Sequence, residues 1–347
     1  MSPPPRLVRR LVVDPLFLPA AAVLALVLLA VVAVASLLAP LTPRRRVLGM
    51  ARLVLAYLRL DVSLLLRSWL LWLRTPVRLG REAERRWTAA HALLLHDALE
   101  RLLAVAGTTV GFAVQVDERS PVPPRDGRPL AVLARHAGPG DSFTLVWLIL
   151  HRLGRTPRVV LKDVLLWDPG LDVVLTRLSC CFLSSRSGAG DDNTAAVAAL
   201  AARLGPDDAL LLFPEGGNWT RARHRRAVRR LWRGGRRRAA RRAAAMPRVL
   251  PPRPAGTAAV LTTRPDADVL VVAHGGLDGL TSPGAVWSAL PVDATPMRVR
   301  WWQVPPAARP VTEDAVPDWL DAQWARVAGW VDGQEEPGRA GPGLTPA

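Results

Sequence analysis

Two short segments of this 347-residue chain combine residue types that can move a proton. The first, His136-Ala-Gly-Pro-Gly-Asp141, places an imidazole and a carboxylate on either side of a turn of small residues. The second, Phe213-Pro-Glu-Gly-Gly217, places a carboxylate in a turn directly after an apolar run. An imidazole oriented by a carboxylate is the arrangement that removes a proton from an alcohol. We therefore expect His136 to act as a general base and Asp141 to hold its ring.

Each segment also has a structural interpretation. In the first segment, Asp141 would be only the N-cap of a helix beginning at Ser142, or would serve both purposes. In the second, the turn would be a simple exit from a strand. The carboxyl ends of strands in α/β sheets nevertheless bind ligands, and glycines there allow close approach of backbone N–H groups. The substrate-binding residues predicted in this turn are Pro214, Glu215, Gly216 and Gly217.

Two further segments accompany these two. Cys180-Cys-Phe-Leu-Ser-Ser-Arg186 ends in an arginine whose guanidinium can bind a phosphate, although a surface arginine after a strand is the ordinary alternative. Val249-Leu-Pro-Pro-Arg-Pro-Ala-Gly256 is predicted to be a rigid extended loop, because consecutive prolines restrict the backbone.

In this order, the four segments resemble the glycerolipid acyltransferase family, which includes the 1-acylglycerol-3-phosphate acyltransferases. The family carries a His-x4-Asp box, an Arg-bearing box, a Phe-Pro-Glu-Gly box and a Pro-rich box, and residues 130–256 contain a counterpart of each. Val160-Leu-Lys-Asp163 and the later Leu-Pro-Pro-Arg253 look most like the lysocardiolipin and lysophosphatidate branch. Two positions depart from the pattern: Gly217 replaces a Ser or Thr, and Leu183 replaces a Phe.

The resemblance implies an O-acyltransferase of phospholipid synthesis. His136 would deprotonate a glycerol hydroxyl, Asp141 would orient it, and Arg186 and Glu215 would shape the glycerophosphate site. The implied donor is acyl-CoA or acyl-carrier protein, and the implied acceptor is a lysophospholipid, foremost 1-acyl-glycerol-3-phosphate. The resemblance implies no cofactor, no metal and no covalent acyl-enzyme. The six histidines and two cysteines show no metal-ligand spacing, and the adjacent cysteines are not expected to form a disulfide.

The run from Leu16 to Leu41 contains no charged residue and, as a helix, is long enough to cross the roughly 30 Å hydrocarbon core of a bilayer. It is too long for the apolar region of a signal peptide and lacks an evident cleavage site, so we predict a retained membrane anchor. Arginines flank both ends. Arg52 and Arg59 add positive charge after the anchor, which predicts a catalytic domain on the cytoplasmic side of the cell membrane.

The segment from Met50 to Leu73 is apolar but is interrupted by charged residues. This pattern predicts an amphipathic helix, and two interpretations are open. The helix would lie in the membrane interface with its arginines at the headgroups, or it would pack against the domain as an ordinary helix.

The segment from Arg221 to Arg242 contains 12 arginines in 22 residues and no acid, in a chain of net charge +17. With an anchor upstream, we predict that it contacts anionic membrane lipids, and no nucleic acid is expected as a partner. A solvated basic helix and loop is the structural alternative. The functional alternatives are a non-catalytic lipid-binding membrane protein and a basic nucleic-acid-binding protein. The membrane-facing residues predicted here are Arg221, Arg225, Arg229 and Arg233.

Short apolar runs alternate with helical patterns from Leu130 onward, which predicts an α/β fold. We expect a central mixed sheet flanked by helices, preceded by a transmembrane helix and an amphipathic membrane-associated helix. Strands are predicted at 130–134, 158–162, 209–213, 269–273 and 297–304. Helices are predicted at 81–105, 142–153, 195–204 and 318–331. The predicted regions are an anchor at 1–46 (helix about 16–41), a membrane-associated region at 47–120, a catalytic domain at 121–333 and a disordered tail at 334–347.

Overall fold

The computed structural model describes residues 3–37, 45–75, 80–184, 190–280, 283–290, 296–310 and 312–334. Arg186 and the predicted tail beyond Gln334 lie outside the described residues.

The described residues build a seven-stranded sheet, which confirms the predicted α/β fold. Its strands are β1 Val114–Val116, β2 Leu130–Ala134, β3 Thr156–Lys162, β4 Cys181–Leu183, β5 Asp208–Leu212, β6 Asp268–Gly275 and β7 Met297–Val304. The order is β1-β7-β6-β2-β5-β3-β4, and neighbouring strands are parallel except for the antiparallel pair β6–β7. Every residue of β2, β5 and β6 is buried, as expected for strands covered on both faces.

Helices cover both faces of this sheet. They are α1 Arg6–Leu37, α2 Arg45–Arg74, α3 Gly80–Val110, α4 Pro139–His151, α5 Pro169–Arg177, α6 Gly190–Ala202, α7 Arg221–Arg233, α8 Arg237–Ala244, α9 Pro254–Thr263, α10 Pro283–Ala289 and α11 Val316–Gln334. The core on one face is formed with α2, α3, α4 and α5, and the core on the other face with α6, α9 and α11. The Pro-rich loop was wrongly predicted to extend to Gly256, because Pro254 begins α9, where its fixed φ suits a first helical position.

Helix α1 begins at Arg6, ten residues before the predicted start, and its described part ends at Leu37. Within the part of the chain that the structure describes, it is the one helix long and apolar enough to cross a membrane, with a mean hydropathy of 2.9 over its best window. Its first turns are attached to the domain, because Arg9 Nε lies 2.7 Å and Arg10 Nη1 lies 2.9 Å from Asp172 Oδ2. Helix α1 is therefore tied to α5 by a buried carboxylate.

Helix α2 packs against α1, α3 and α5, and it buries Leu60, Leu64 and Leu65. The interpretation of this segment as a helix packed on the domain therefore holds. Its last turns expose Leu70, Trp72 and other apolar side chains, and contact of these residues with a membrane stays a prediction.

Candidate active site

Four neighbouring strands place chemically useful side chains at one edge of the sheet. His136 follows β2, Lys162 ends β3, the Glu215 turn follows β5, and His274 lies near the end of β6. In the sheet these strands are consecutive in the order β6-β2-β5-β3, and all are parallel. Their carboxyl ends therefore meet at the edge where α/β sheets bind ligands.

His136 and Asp141 are in contact, as predicted. Both carboxylate oxygens of Asp141 lie 3.0 Å from Nδ1 of His136. A proton on Nδ1 is shared with the carboxylate, which leaves Nε2 as the basic nitrogen. The histidine side chain is about one-fifth exposed and its ring lies 4.5 Å from that of Phe213, whereas Asp141 is fully buried. This is the geometry of a general base with its orienting acid.

Asp141 also stabilises the turn that carries it. Its Oδ2 accepts hydrogen bonds from the backbone N–H groups of Ala137, at 2.7 Å, and Gly138, at 3.1 Å. Helix α4 begins at Pro139, so Asp141 lies in its first turn rather than before it. Burial raises the pKa of Asp141, but the hydrogen bonds from His136 and from the Gly138 N–H outweigh it and hold that pKa below its usual value. The carboxylate is thus ionised and fixed.

His274 is a second imidazole at Asp141, and it was not among the predicted site residues. Its Nε2 lies 3.5 Å from Asp141 Oδ2 and 2.8 Å from the carbonyl oxygen of Arg135. The side chain is fully buried, and burial lowers the pKa of His274 despite the nearby carboxylate. A neutral ring that donates from Nε2 fits these contacts. The signal available in the sequence was a histidine directly after the predicted strand 269–273.

Glu215 is buried behind its turn. Its oxygens accept hydrogen bonds from Leu250 N, at 3.3 Å, and from Trp324 Nε1, at 3.2 Å. Burial raises the pKa of Glu215 to about 8, although the charge of Arg135 and these hydrogen bonds oppose the rise. The carboxyl group thus joins the Phe-Pro-Glu-Gly turn to the Pro-rich segment and to α11. A role for Glu215 in substrate binding stays a prediction.

Three cations converge on the glycines of the same turn. Gly216 has a φ of +68°, and a Cβ there would lie 3.0 Å from the Arg253 guanidinium carbon. A Cβ at Gly217 would lie 3.5 Å from Arg223 Nη1 and 3.8 Å from Lys162 Nζ. Burial, followed by the charges of Arg223 and Arg253, lowers the pKa of Lys162. In the described residues neither Lys162 nor Arg253 pairs with a carboxylate, so this cluster can bind an anion.

Two cavities of opposite character lie beside the histidine turn and the glycine turn. A basic cavity of about 460 Å³ is lined by Gly216, Gly217 and the three cations, and it extends along α7 and α8. An apolar cavity of about 250 Å³ is lined by Gly138 and Gly140 of the histidine turn and by side chains of α2, α3 and α4. The site therefore offers a polar recess next to the Glu215 turn and an apolar one next to the His136 turn.

Comparison with known proteins shows what this part of the chain is similar to. Residues 113–254, which include the His136 and Glu215 segments, match the family model described as Acyltransferase. This part of the chain is therefore similar to acyltransferase domains. Among solved structures, the chain is similar to the crystal structure of the 1-acyl-sn-glycerophosphate (LPA) acyltransferase PlsC from Thermotoga maritima. The two chains are 16% identical, with a TM-score of 0.55, over 86% of this chain and 100% of that chain, and this likeness confirms the fold. A comparison with curated proteins gave no match.

Several residues near the glycine turn were not predicted to be in the site. Lys162, Arg223 and Arg253 were missed because each comes from a different element and only the fold brings them together. The sequence offered one signal, a lysine at the end of a predicted strand in a chain with no other lysine. Among the predicted residues, Pro214 holds Arg253 through a backbone hydrogen bond of 2.8 Å, and Arg186 is not described.

The four predicted membrane-facing arginines are exposed along α7. They are Arg221, Arg225, Arg229 and Arg233. These four arginines do not line the basic cavity. The α7 arginines that line it are Arg223, Arg226 and Arg230, from the adjacent face of the helix.

One group of possible metal ligands lies apart from the site. His96, Glu100 and His151 place ligand atoms within 4.8 Å of one another. His96 and Glu100 are one turn apart on α3, and His151 ends α4, whose first turn carries Asp141. His151 and Asp141 are ten residues apart on α4, which at 1.5 Å per residue is about 15 Å. The group is therefore too far away to take part in proton transfer at His136.

Proposed function

We propose that this acyltransferase moves an acyl chain from a thioester to the free hydroxyl of a lysophospholipid, with 1-acyl-glycerol-3-phosphate as the acceptor. The observation that carries the proposal is that the turn holding the His136–Asp141 pair borders an apolar cavity through Gly138 and Gly140, while the neighbouring Glu215 turn borders a basic cavity. Such an acceptor has a phosphate at one end and an acyl chain at the other, with the reacting hydroxyl between them. The similarity of the fold to that of the LPA acyltransferase PlsC supports the same acceptor.

The chemistry requires one base and no covalent intermediate. His136 Nε2 takes the hydroxyl proton while Asp141 stabilises the imidazolium that forms. The acceptor oxygen attacks the thioester carbonyl carbon, the new C–O ester bond forms, and the C–S bond breaks. The thiolate that leaves takes the proton from the imidazolium, so the histidine returns to its starting state. The donor is an acyl thioester, carried by coenzyme A or by acyl-carrier protein.

The acceptor phosphate would bind between Lys162, Arg223 and Arg253. Two guanidinium groups and one ammonium can together neutralise a phosphate monoester, and the glycine turn leaves room for it next to the backbone. The acyl chain would lie in the apolar cavity beside Gly138 and Phe143. We further propose that α1 anchors the enzyme in the cell membrane, with the catalytic domain on the cytoplasmic side and anionic lipids in contact with α7.

The test is acyl transfer by the purified full chain in detergent, with labelled lysophosphatidate and an acyl thioester. Replacing His136 with Gln should lower kcat by about 10³-fold or more, because the base is lost, while the fold is kept. His91→Gln is a matched control, since His91 is a buried histidine whose Nδ1 lies 2.9 Å from the Trp87 carbonyl oxygen within α3, away from this site. A His136 variant with wild-type turnover would disprove the mechanism, and no transfer by the wild-type chain to any lysophospholipid would disprove the function.

A further inference from the structure

Two imidazoles and one carboxylate lie together between α3 and α4, apart from the catalytic turn. His96 and Glu100 are on α3, and His151 is the last residue of α4. One ligand atom from each of the three side chains lies within 4.8 Å of the other two. Two imidazoles and a carboxylate are a ligand set of Zn²⁺, with water in the fourth position. The donors present therefore suit such a metal ion.

The distances between the donor atoms are close to those around a tetrahedral metal ion. Bonds of about 2.0–2.1 Å to a central ion place two ligand atoms about 3.3–3.4 Å apart. Glu100 Oε2 lies 3.3 Å from His96 Nε2 and 3.9 Å from His151 Nδ1. All three side chains reach solvent, so rotation of their ends can close the remaining gaps without movement of either helix.

Neighbouring residues already orient these ligands. His96 and Glu100 are four residues apart, so they share one face of α3. The ring of His151 stacks on that of Trp147, with centroids 4.7 Å apart and planes 14° apart, and lies nearly parallel to the ring of His96 at 5.7 Å. Side chains that are ordered before binding lose less conformational entropy when a ligand binds. The cluster is therefore partly preorganised.

Glu100 is available as a ligand because nearby arginines pair with a different carboxylate. Arg67 and Arg101 both form ion pairs with Asp97, the second at 2.9 Å. Within the described part of the chain, the ion-pair contacts of Glu100 are with the two imidazoles. The alternative explanation is a simple ion pair between Glu100 and a protonated His96 one turn away. That pair involves α3 alone and does not account for the second imidazole, which comes from α4.

We propose that His96, Glu100 and His151 form a zinc site that joins α3 to α4. The ion binds Nε2 of His96, Nδ1 of His151 and one carboxylate oxygen of Glu100, with water in the fourth position. His151 ends the helix whose first turn carries Asp141, so the ion links the far end of that helix to α3. Its role is structural, because an ion that binds the folded chain in preference to the unfolded chain stabilises the fold. This inference does not rest on the proposed function.

The direct test is calorimetric titration of Zn²⁺ into the full chain, without a histidine tag, in detergent and after treatment with a chelator. H151Q and E100Q should each weaken binding by about tenfold or more, because one of three ligands is lost. E84Q is the matched control, since it removes the same charge from an exposed position of α3, and it should change binding by less than about threefold. Wild-type affinity in H151Q would overturn the proposal, because the ion would then bind α3 alone. Absence of Zn²⁺ binding by the wild type would also overturn it.

Two further measurements separate this site from the catalytic histidine. Co²⁺ in place of Zn²⁺ should give the visible absorption of a four-coordinate ion in the wild type and in H136Q, but not in H151Q. Loss of that absorption in H136Q would place the ion at His136 and overturn the proposal. Saturating Zn²⁺ should raise the melting temperature of the wild type by about 3 °C or more and leave that of H151Q nearly unchanged. Equal shifts in both chains would contradict the link between the helices. Metal-free H151Q should keep wild-type turnover, so a failure of acyl transfer would leave this inference intact.

Discussion

At the scale of single residues, the site depends on backbone conformations that only certain residues adopt. Gly216 has a φ of +68°, in the left-handed region, and this conformation lets the Arg253 guanidinium lie directly over the turn. The same turn follows β5 and leads through Trp219, whose backbone N–H donates to the His136 carbonyl oxygen at 2.7 Å. The base and the cation cluster are therefore held by one short piece of chain.

Replacing Gly216 with Ala should impair acceptor binding more than folding. The new Cβ would lie 3.0 Å from the Arg253 guanidinium carbon, so the cation would have to move. We expect about a tenfold higher KM for lysophosphatidate, with about 1 kcal/mol of lost stability from the left-handed backbone. Gly235→Ala is the control, because Gly235 has a φ of +72° and a Cβ added there would meet nothing within 4 Å. It should share the stability loss and keep the wild-type KM; a similar KM increase in both variants would contradict the prediction.

Glu215 makes the stability of the fold depend on pH. Its pKa is about 8 in the folded protein against an ordinary value of 4.5, so the folded state holds the proton more tightly than the unfolded state. Protonation therefore favours folding: this contribution is complete below about pH 4.5 and is lost as the pH rises through about 8. The melting temperature should fall between pH 5 and pH 8, and Glu215→Gln should reduce that fall, because its side chain does not titrate. An unchanged slope in the variant would show that Glu215 does not bind this proton.

At the scale of secondary structure, the sequence predicted the long and strongly patterned elements best. Strands β2 and β7 have the predicted bounds, and the Arg-rich segment forms two short helices. The missed elements are short or irregular: β1 and β4 have three residues each, and α5 begins at a Pro-Gly pair that usually indicates a turn. The His136–Asp141 contact was predictable because its residues are local. The Lys162–Arg223–Arg253 cluster was not, because three distant segments meet only through the sheet order.

Helices α2 and α5 are connected by a buried carboxyl group that no local pattern indicated. Asp61 Oδ1 accepts the backbone N–H groups of Gly170, at 2.7 Å, and Leu171, at 3.2 Å, and so caps the start of α5. Burial, followed by the hydrogen bond and charge of Asp168, raises the pKa of Asp61 to about 9. The group is thus neutral at physiological pH and acts as a hydrogen-bonding partner.

Asp61→Ala should destabilise the protein by about 2 kcal/mol, because the buried Gly170 N–H loses its acceptor. Asp61→Asn should retain most of the stability, since Oδ1 remains and the carboxyl group is already uncharged. Ser63→Ala is a control on the same helix, where the lost hydroxyl donates only to the Leu60 carbonyl oxygen. Thermal unfolding of the three variants checks this order. A loss in the Asn variant as large as in the Ala variant would show that charge, rather than capping, matters.

At the scale of the whole molecule, the apolar α1 and the exposed arginines of α7 are two features suited to one membrane surface. Helix α1 is fixed to the domain through Asp172, so the domain cannot move freely away from this helix. The outward face of α7 carries four exposed arginines, and Trp232 is exposed on the same helix. Each arginine near an anionic leaflet contributes about 1 kcal/mol, and tryptophan favours the headgroup region. We therefore expect α7 to lie against the leaflet that supplies the lysophospholipid.

Two double variants, each of which replaces one pair of arginines on α7 with glutamine, test this orientation. In nanodiscs that contain phosphatidylglycerol, trypsin should cleave wild-type segment 221–242 more slowly than in neutral nanodiscs, because the arginines are covered by headgroups. R225Q/R229Q should lose about 2 kcal/mol of this attraction and much of the protection. R226Q/R230Q has the same net charge but removes cavity-facing arginines, so its protection should stay close to that of the wild type. Equal protection in anionic and neutral nanodiscs would place α7 away from the membrane, and equal loss in both variants would show that total charge, rather than this face, attracts the lipid.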